Sequence, residues 1–398
     1  MGDQQGSLQL AARPPASPAR APAFTRVPAL DGLRTLAIGV VVALHGHLGP
    51  FAGGEIGVDL FLVLSGYLIT TLLLAEREAT GSIRVGSFYV RRALRLYPAL
   101  LVLLAALVAT AVLVDSGDQF EITGKLLLSC GVAAVYLTDL AVGWHLWDGF
   151  HDDAPLLHTW SLSVEEHFYL LWAPLLAVLL KRMSLVRVRR LLLVATAAMM
   201  AWTALLAGVW SADRARLVYA PDTRSLGLLV GCLIAVTAAT APRRLRLPAA
   251  VPWLATGAFL ALATVDLLSD GAGRGYLLVV DLLAAAMILG ALDRDSAYSR
   301  FWSVPPLTAI GVRAYGIYLW HFPVFHFLST SRVPGWGEVE LDLARLVVTA
   351  LLVEVSYRVV ELPALAMRHR FTPARRAPAA PAGPAAAGPR SEQRRVEV

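Results

Sequence analysis

Apolar residues recur in eleven long runs, at about 30–48, 57–76, 98–114, 126–142, 163–180, 191–210, 222–240, 250–268, 275–292, 307–329 and 341–362. A bilayer core needs about 20 apolar residues per helix, so the pattern predicts an all-α, polytopic membrane protein. The run at 126–142 is short and interrupted by Ser129, Gly131, Thr138 and Asp139. Loop charge tests whether it crosses. If it does not, the loops at 77–97, 181–190, 241–248 and 293–306 share one side and hold fifteen Lys/Arg, against five in the loops opposite. If it does, the basic stretch KRMSLVRVRR at 181–190 moves outside, against the usual positive-inside bias. The prediction is therefore ten spanning helices with both termini cytoplasmic, and a re-entrant or buried segment near 126–142. Irregular backbone at that depth survives only inside protein or beside water, which points to a cavity.

Residues 1–29 and 364–398 are rich in Pro, Ala and Arg. They read as a disordered cytoplasmic arm and a disordered basic tail around a transmembrane domain at 30–363. The arm has no apolar core, so no cleavable signal peptide is expected and the first helix serves for targeting. Composition fits this picture: 57% hydrophobic, 16% charged. The net charge of +6 would suggest nucleic acid in a soluble chain. Here its arginines sit between apolar runs, so membrane orientation accounts for it and no nucleic acid is expected. Cys130 and Cys232 lie within apolar runs and form neither a metal motif nor a disulfide framework.

Against that apolar background the charged positions stand out. In LDGLRTLAIGVVVALH, residues 30–45, Arg34 and His45 are eleven helical steps apart. Eleven steps of about 100° make just over three turns, leaving both on one stripe roughly 16 Å apart. Ionisable groups at such depth face a protein interior or a wet cavity. The next helix opens as GGEIGVDLFLVLSGYLI, where Gly53, Gly54, Gly57 and Gly66 permit close helix contact. Its Asp59 either hydrogen-bonds His45, fixing the imidazole tautomer, or simply caps the helix. In SFYVRRALRLYP, Arg92 and Arg95 share a helix face. With Arg34 they form an anion site suited to phosphates, or else serve as orientation charges.

HTWSLSVEEHFYLLW, residues 158–172, is the densest stretch. Ser161 or Ser163 could cap a helix with Glu165 and Glu166 in its first turn. Two carboxylates with His158, Trp160 and His167 exceed what capping needs. His145, His151, Asp152 and Asp153 precede them, but the spacing fits no metal-ligand pattern, and no metal is expected. Asp222 and Arg224 read as a mutual or inter-helix charge pair. In AYGIYLWHFPVF, Tyr318 and His321 lie toward the outer part of a late helix, where Tyr is also a normal interface anchor. Glu361, before Pro363, reads as structural.

Taken in order, LDGLR…H, GVDLF…LSGYLI, FYVRRALRLYP, HTWSLSVEEHFYLLW, DTRSLGLLVG, YLWHFPV and VELP resemble the acyltransferase 3 family of integral-membrane O-acyltransferases, from about Leu30 to Pro363. The resemblance implies ten membrane helices and transfer of acetyl or another short acyl group from cytoplasmic acyl-CoA. The acceptor it implies is a hydroxyl of a cell-envelope carbohydrate, or an antibiotic in some members. By position, the family's Arg-x10-His pair falls on Arg34 and His45, and its RxxR pair on Arg92 and Arg95. Its Trp–Ser–Glu segment falls on Trp160, Ser161, Ser163, Glu165 and Glu166. Two positions depart: His167 stands where Gln is common, and Ala173 splits the following Trp-Pro.

The expected mechanism puts the nucleotide and pyrophosphate of acyl-CoA on Arg34, Arg92 and Arg95, with the thioester reaching His45. That histidine would act as general base or transient acyl carrier, oriented by Asp59 or Glu165, with Glu166 alongside. His158, Trp160, Ser161, Ser163, Tyr318 and His321 would line the acceptor side. Acyl-CoA is then a co-substrate, with no resident cofactor. The expected partners are the lipid bilayer and a hydroxyl-bearing glycan or small molecule, and the expected location is a bacterial inner membrane. The rival of another class is a proton-coupled transporter or flippase, against which the lack of visible inverted repeats speaks. A scaffold would leave Arg34 and His45 unexplained.

Overall fold

The computed structural model describes residues 26–114, 120–147, 154–210, 212–241, 246–266, 276–330 and 333–371. Residues 1–25 and 372–398 of the predicted arm and tail, with His151, Asp152 and Asp153, lie outside the described residues. Among those described every regular element is helical. Six helices among the described residues are long and apolar enough to cross a membrane. They are α1 (Pro28–His45), α2 (Ile56–Thr80), α3 (Val85–Val114), α6 (Trp160–Arg182), α7 (Leu185–Gly208), and α8 (Arg214–Tyr219) continuing into α9 (Pro221–Thr240). The later runs fold as shorter or interrupted helices: α10 (Ala250–Leu262), α11 (Tyr276–Leu292), α12 (Ala297–Trp302), α13 (Pro305–Val312), α14 (Ala314–Phe327), α15 (Glu338–Ser356) and α16 (Leu362–Met367).

Three boundaries differ from expectation for identifiable reasons. Helix α3 begins at Val85, so Arg91, Arg92 and Arg95 ride on it rather than in a loop. The run at 126–142 is split into α4 (Phe120–Ala134) and α5 (Thr138–Gly143). The break falls at Tyr136, whose φ of 54° no α-helix accepts. Asp139, fully buried at the start of α5, accepts hydrogen bonds from the Leu140 N–H and from His167 Nδ1 at 2.9 Å. His167, the unexpected residue at its position, thus ties α5 to α6. The predicted tail does not begin at 364, since the chain stays helical through Phe371.

Burial explains how these helices assemble. Two apolar cores form, one around α1, α2, α3, α6, α9 and α14, the other around α1, α2, α9, α10, α11 and α12. Helices α1, α2 and α9 belong to both, and α2 and α9 lie in direct contact. They touch through glycine: a Cβ on Gly66 would overlap the Leu228 carbonyl, and one on Gly231 the Val63 carbonyl. Outward faces are equally apolar, with Leu170, Leu171, Leu193, Val194, Leu351 and Val355 exposed. Such a surface suits lipid rather than water, and the chain is a multi-pass membrane protein. Gly66→Ala should destabilise it by about 1–3 kcal/mol, read as a lower melting temperature in detergent. An unchanged melting temperature would mean that α2 and α9 do not meet closely at this glycine.

Candidate active site

Helix α1 ends at His45, and α14 brings His321 against it: the two rings meet at Nδ1 of His45 and Nε2 of His321, 3.1 Å apart. Their tautomers follow from the remaining partners. His321 Nδ1 lies 3.0 Å from the Ile317 carbonyl and 2.9 Å from that of Tyr318. Carbonyls only accept, so His321 Nδ1 carries the proton and, in the neutral ring, Nε2 is the acceptor. His45 Nδ1–H therefore donates to it, and His45 Nε2 is left with a bare lone pair. That is the form a base or nucleophile needs.

Phe322 packs edge-on against the His45 ring and stacks with the His158 ring, at centroid distances of 4.7 and 5.1 Å. His158 is buried, and neither of its ring nitrogens has a hydrogen-bond partner among the described residues. Its backbone carbonyl accepts from the Tyr318 hydroxyl at 2.7 Å. That uses Tyr318's one proton, so Ser161 Oγ–H donates to Tyr318 Oη, also at 2.7 Å.

Ser161 and Tyr318 also line a cavity of about 1440 Å³. On α2 its wall includes Val58, Phe61, Ser65, Leu68, Leu72, Ala75 and Glu78. This is one helix face of twenty steps, roughly 30 Å of rise and close to a bilayer's hydrocarbon thickness. The lining also holds Arg34, Arg92, Arg95 and Arg368, and Arg92 stands near the middle of the α2 face, held there through Glu165 on Ser65. His45, His158 and His321 are not in its lining; the Tyr318 ring, 5.7 Å from that of His321 and 5.4 Å from that of His158, borders both cavity and histidines.

The predicted donor arginines thus share a cavity, in different states. Arg34 pairs with Asp31 at 2.8 Å. Arg92 is held by Glu166 at 2.7 Å and Glu165 at 3.0 Å, with its guanidinium 4.0 Å over the Tyr169 ring. Arg95 has no ion pair or hydrogen bond among the described residues, and Arg34, Arg92 and Arg368 are the cations around it. Cations crowded this way attract anions.

Several expected placements are corrected. Asp59 neither orients His45 nor caps α2. It lies a turn inside that helix, buried, and pairs with Arg224 at 3.1 Å. Glu165 is also away from the imidazole, its oxygens accepting from Ser65 at 2.8 Å, from Arg92, and from Tyr169 at 3.3 Å. Glu166 is likewise committed to Arg92. Ser163 does not face the cavity, because its hydroxyl donates back to the Thr159 carbonyl at 3.2 Å within the same run. Neither serine caps α6, which starts at Trp160. Trp160 packs instead against Tyr219 and under Arg224. Asp222 and Arg224 take the inter-helix alternative instead of pairing with each other, Asp222 binding Arg216 of α8 and Arg224 binding Asp59 of α2. His145 pairs with Asp213 at 2.7 Å. No three His, Cys, Asp or Glu among the described residues are arranged to hold a metal ion.

Sequence reasoning missed the bond between His321 and His45, because residues 276 apart in the chain carry no local sign of contact. Ser65 and Tyr169 were likewise missed as partners of Glu165. Their only sequence signal is that polar groups interrupt otherwise apolar faces.

The acyltransferase domain family matches residues 27–353. Peptidoglycan O-acetyltransferase OatA of Listeria monocytogenes is 33% identical over 357 residues, covering 85% of this chain and 55% of that protein. O-acetyltransferase OatA of Staphylococcus aureus is 29% identical over 350 residues, covering 85% of this chain and 57% of that protein. The chain therefore spans little more than half the length of these relatives. No solved structure matches it. With the match running over nearly all the described helices, the chain belongs to the acyltransferase 3 family.

Proposed function

We propose that this protein transfers an acetyl or other short acyl group from cytoplasmic acyl-CoA to a hydroxyl of a cell-envelope carbohydrate. The observation that carries this reading is the cavity, whose lining brings Arg34 and Arg95 together with Ser161 and Tyr318, the Tyr318 ring standing 5.7 Å from that of His321, which bonds His45. Arg95 and Arg34 take the phosphates of the donor, a role suited to the guanidinium fork. Arg92 is held by two glutamates and fixes the wall instead. The arm of the donor lies along α2, and its thioester arrives at Ser161 and Tyr318. Displacement of Tyr318 from Ser161 opens the last step to the histidines.

At His45 the Nε2 lone pair acts on the acyl transfer, with His321 holding the proton on Nδ1. In the net reaction the acyl C–S bond breaks and a C–O bond forms, and the hydroxyl proton ends on the CoA thiol. The lone pair either takes that proton or carries the acyl group for one step, and ping-pong kinetics distinguishes the carrier. The Listeria monocytogenes relative, named for peptidoglycan, favours a glycan over an antibiotic as acceptor. A bacterial inner membrane with both termini cytoplasmic follows from the same reading, since the donor is cytoplasmic and the acceptor outside.

The test is acyl transfer by purified protein in liposomes. Labelled acetyl-CoA supplied on the side of residues 181–190 should give label on a muropeptide or other glycan hydroxyl opposite, with release of free CoA. A protein that consumes no acyl-CoA but moves protons or glycan across the bilayer would replace this reading with the transporter.

A further inference from the structure

The cavity holds one carboxylate that the reading above does not use. Glu361 lies in a π-helical segment, Tyr357–Glu361, between α15 and α16. The Leu362 N–H returns five residues to the Tyr357 carbonyl. Pro363 gives the local reason, since it can neither donate to the ladder nor fit under an unshifted turn. One extra residue per turn swings the following side chains by about 100° relative to a plain α-helix. Glu361 is thereby brought to the cavity wall formed with Arg95, Leu96, Tyr315 and Tyr318. It is 7% exposed, and its Oε1 has no hydrogen-bond partner among the described residues.

Space for that oxygen is left by α14. A Cβ on Gly316 would stand 3.1 Å from Glu361 Oε1, so a side chain there would press on it. Gly316 precedes His321 by five residues, roughly 7–8 Å along the helix on the arginine side. The oxygen therefore lies on the arginine side of the histidines, with Arg95 and Tyr318 in the same cavity lining. In a donor with its phosphates on the arginines and its thioester at Tyr318, the part that passes between them is the joining arm, whose polar groups are two secondary amides and a hydroxyl. A buried acceptor oxygen with no donor is unfavourable until one arrives.

Resting on the donor proposed above, we infer that Glu361 is a binding residue for the amide-bearing arm of the acyl donor, accepting one of its N–H groups. A cation would be the other natural partner for this carboxylate, and the charges reaching it are those of Arg95 and Arg313. If Glu361 served only to balance Arg95, it would matter solely for the phosphates.

Acetyl-pantetheine, which has the arm and thioester but no phosphate or nucleotide, separates these cases. Glu361→Ala should raise KM about tenfold or more for both acetyl-CoA and acetyl-pantetheine, as expected for loss of a buried hydrogen bond to a charged group. Glu361→Gln, which keeps an acceptor oxygen, should recover part of that loss. Arg95→Ala should weaken acetyl-CoA and leave acetyl-pantetheine unchanged. Melting temperatures in detergent establish that each variant is folded. If Glu361→Ala alters KM for acetyl-CoA alone, or for neither donor, the inference is overturned. Absence of acyl-CoA turnover by the unmodified protein would instead overturn the donor reading itself.

Discussion

Replacing His45 with alanine should lower acyl transfer by about 10²–10⁴-fold, the range for losing a positioned base. The loss should fall on kcat, with little change in donor KM, because the ring is outside the cavity lining where the donor is proposed to bind. Folding should survive. His45 is the last residue of α1, half-buried, and its ring meets those of His321 and Phe322. His321→Ala should give a smaller loss of the same kind, since it leaves His45 Nδ1–H without the acceptor that fixes the tautomer. Rates of labelled acetyl transfer with purified variants in liposomes measure both. Near wild-type turnover in a well-folded His45→Ala protein would remove this histidine from the chemistry.

The largest effect on stability is expected at Arg224. Its side chain is buried at 2% exposure and pairs with Asp59 at 3%. Arg224→Ala leaves the Asp59 carboxylate buried without its counter-ion, at a cost of about 3–5 kcal/mol. Asp281 and Tyr276 lie in the same charged neighbourhood. The double replacement Asp59→Leu with Arg224→Met removes both charges and should recover part of the lost stability, for apolar substitutes of a buried pair are often tolerated. It should also keep measurable acyl transfer. Melting temperature and turnover of the two variants decide the matter. Complete inactivity of a stable double variant would return Asp59 to the catalytic machinery.

Sequence alone determined the fold class, the bilayer environment and the residues worth watching. Each of these is a local property: a run of apolar side chains must leave water wherever the helix sits, and an ion in such a run must find a polar neighbour somewhere. Arg34 and His45 could be placed on one stripe because a helix fixes the spacing of residues it contains. Which partner each ion took was decided only by the tertiary structure. Asp59 was drawn toward Arg224 rather than His45, and Glu165 toward Arg92 and Ser65. A buried charge pairs with whatever opposite charge the packing brings within reach, and nothing in the spacing along one helix records what stands on the next. The same holds for His321, whose contact with His45 exists because α14 packs beside α1, and for Glu361, turned to the cavity wall by a single shifted turn.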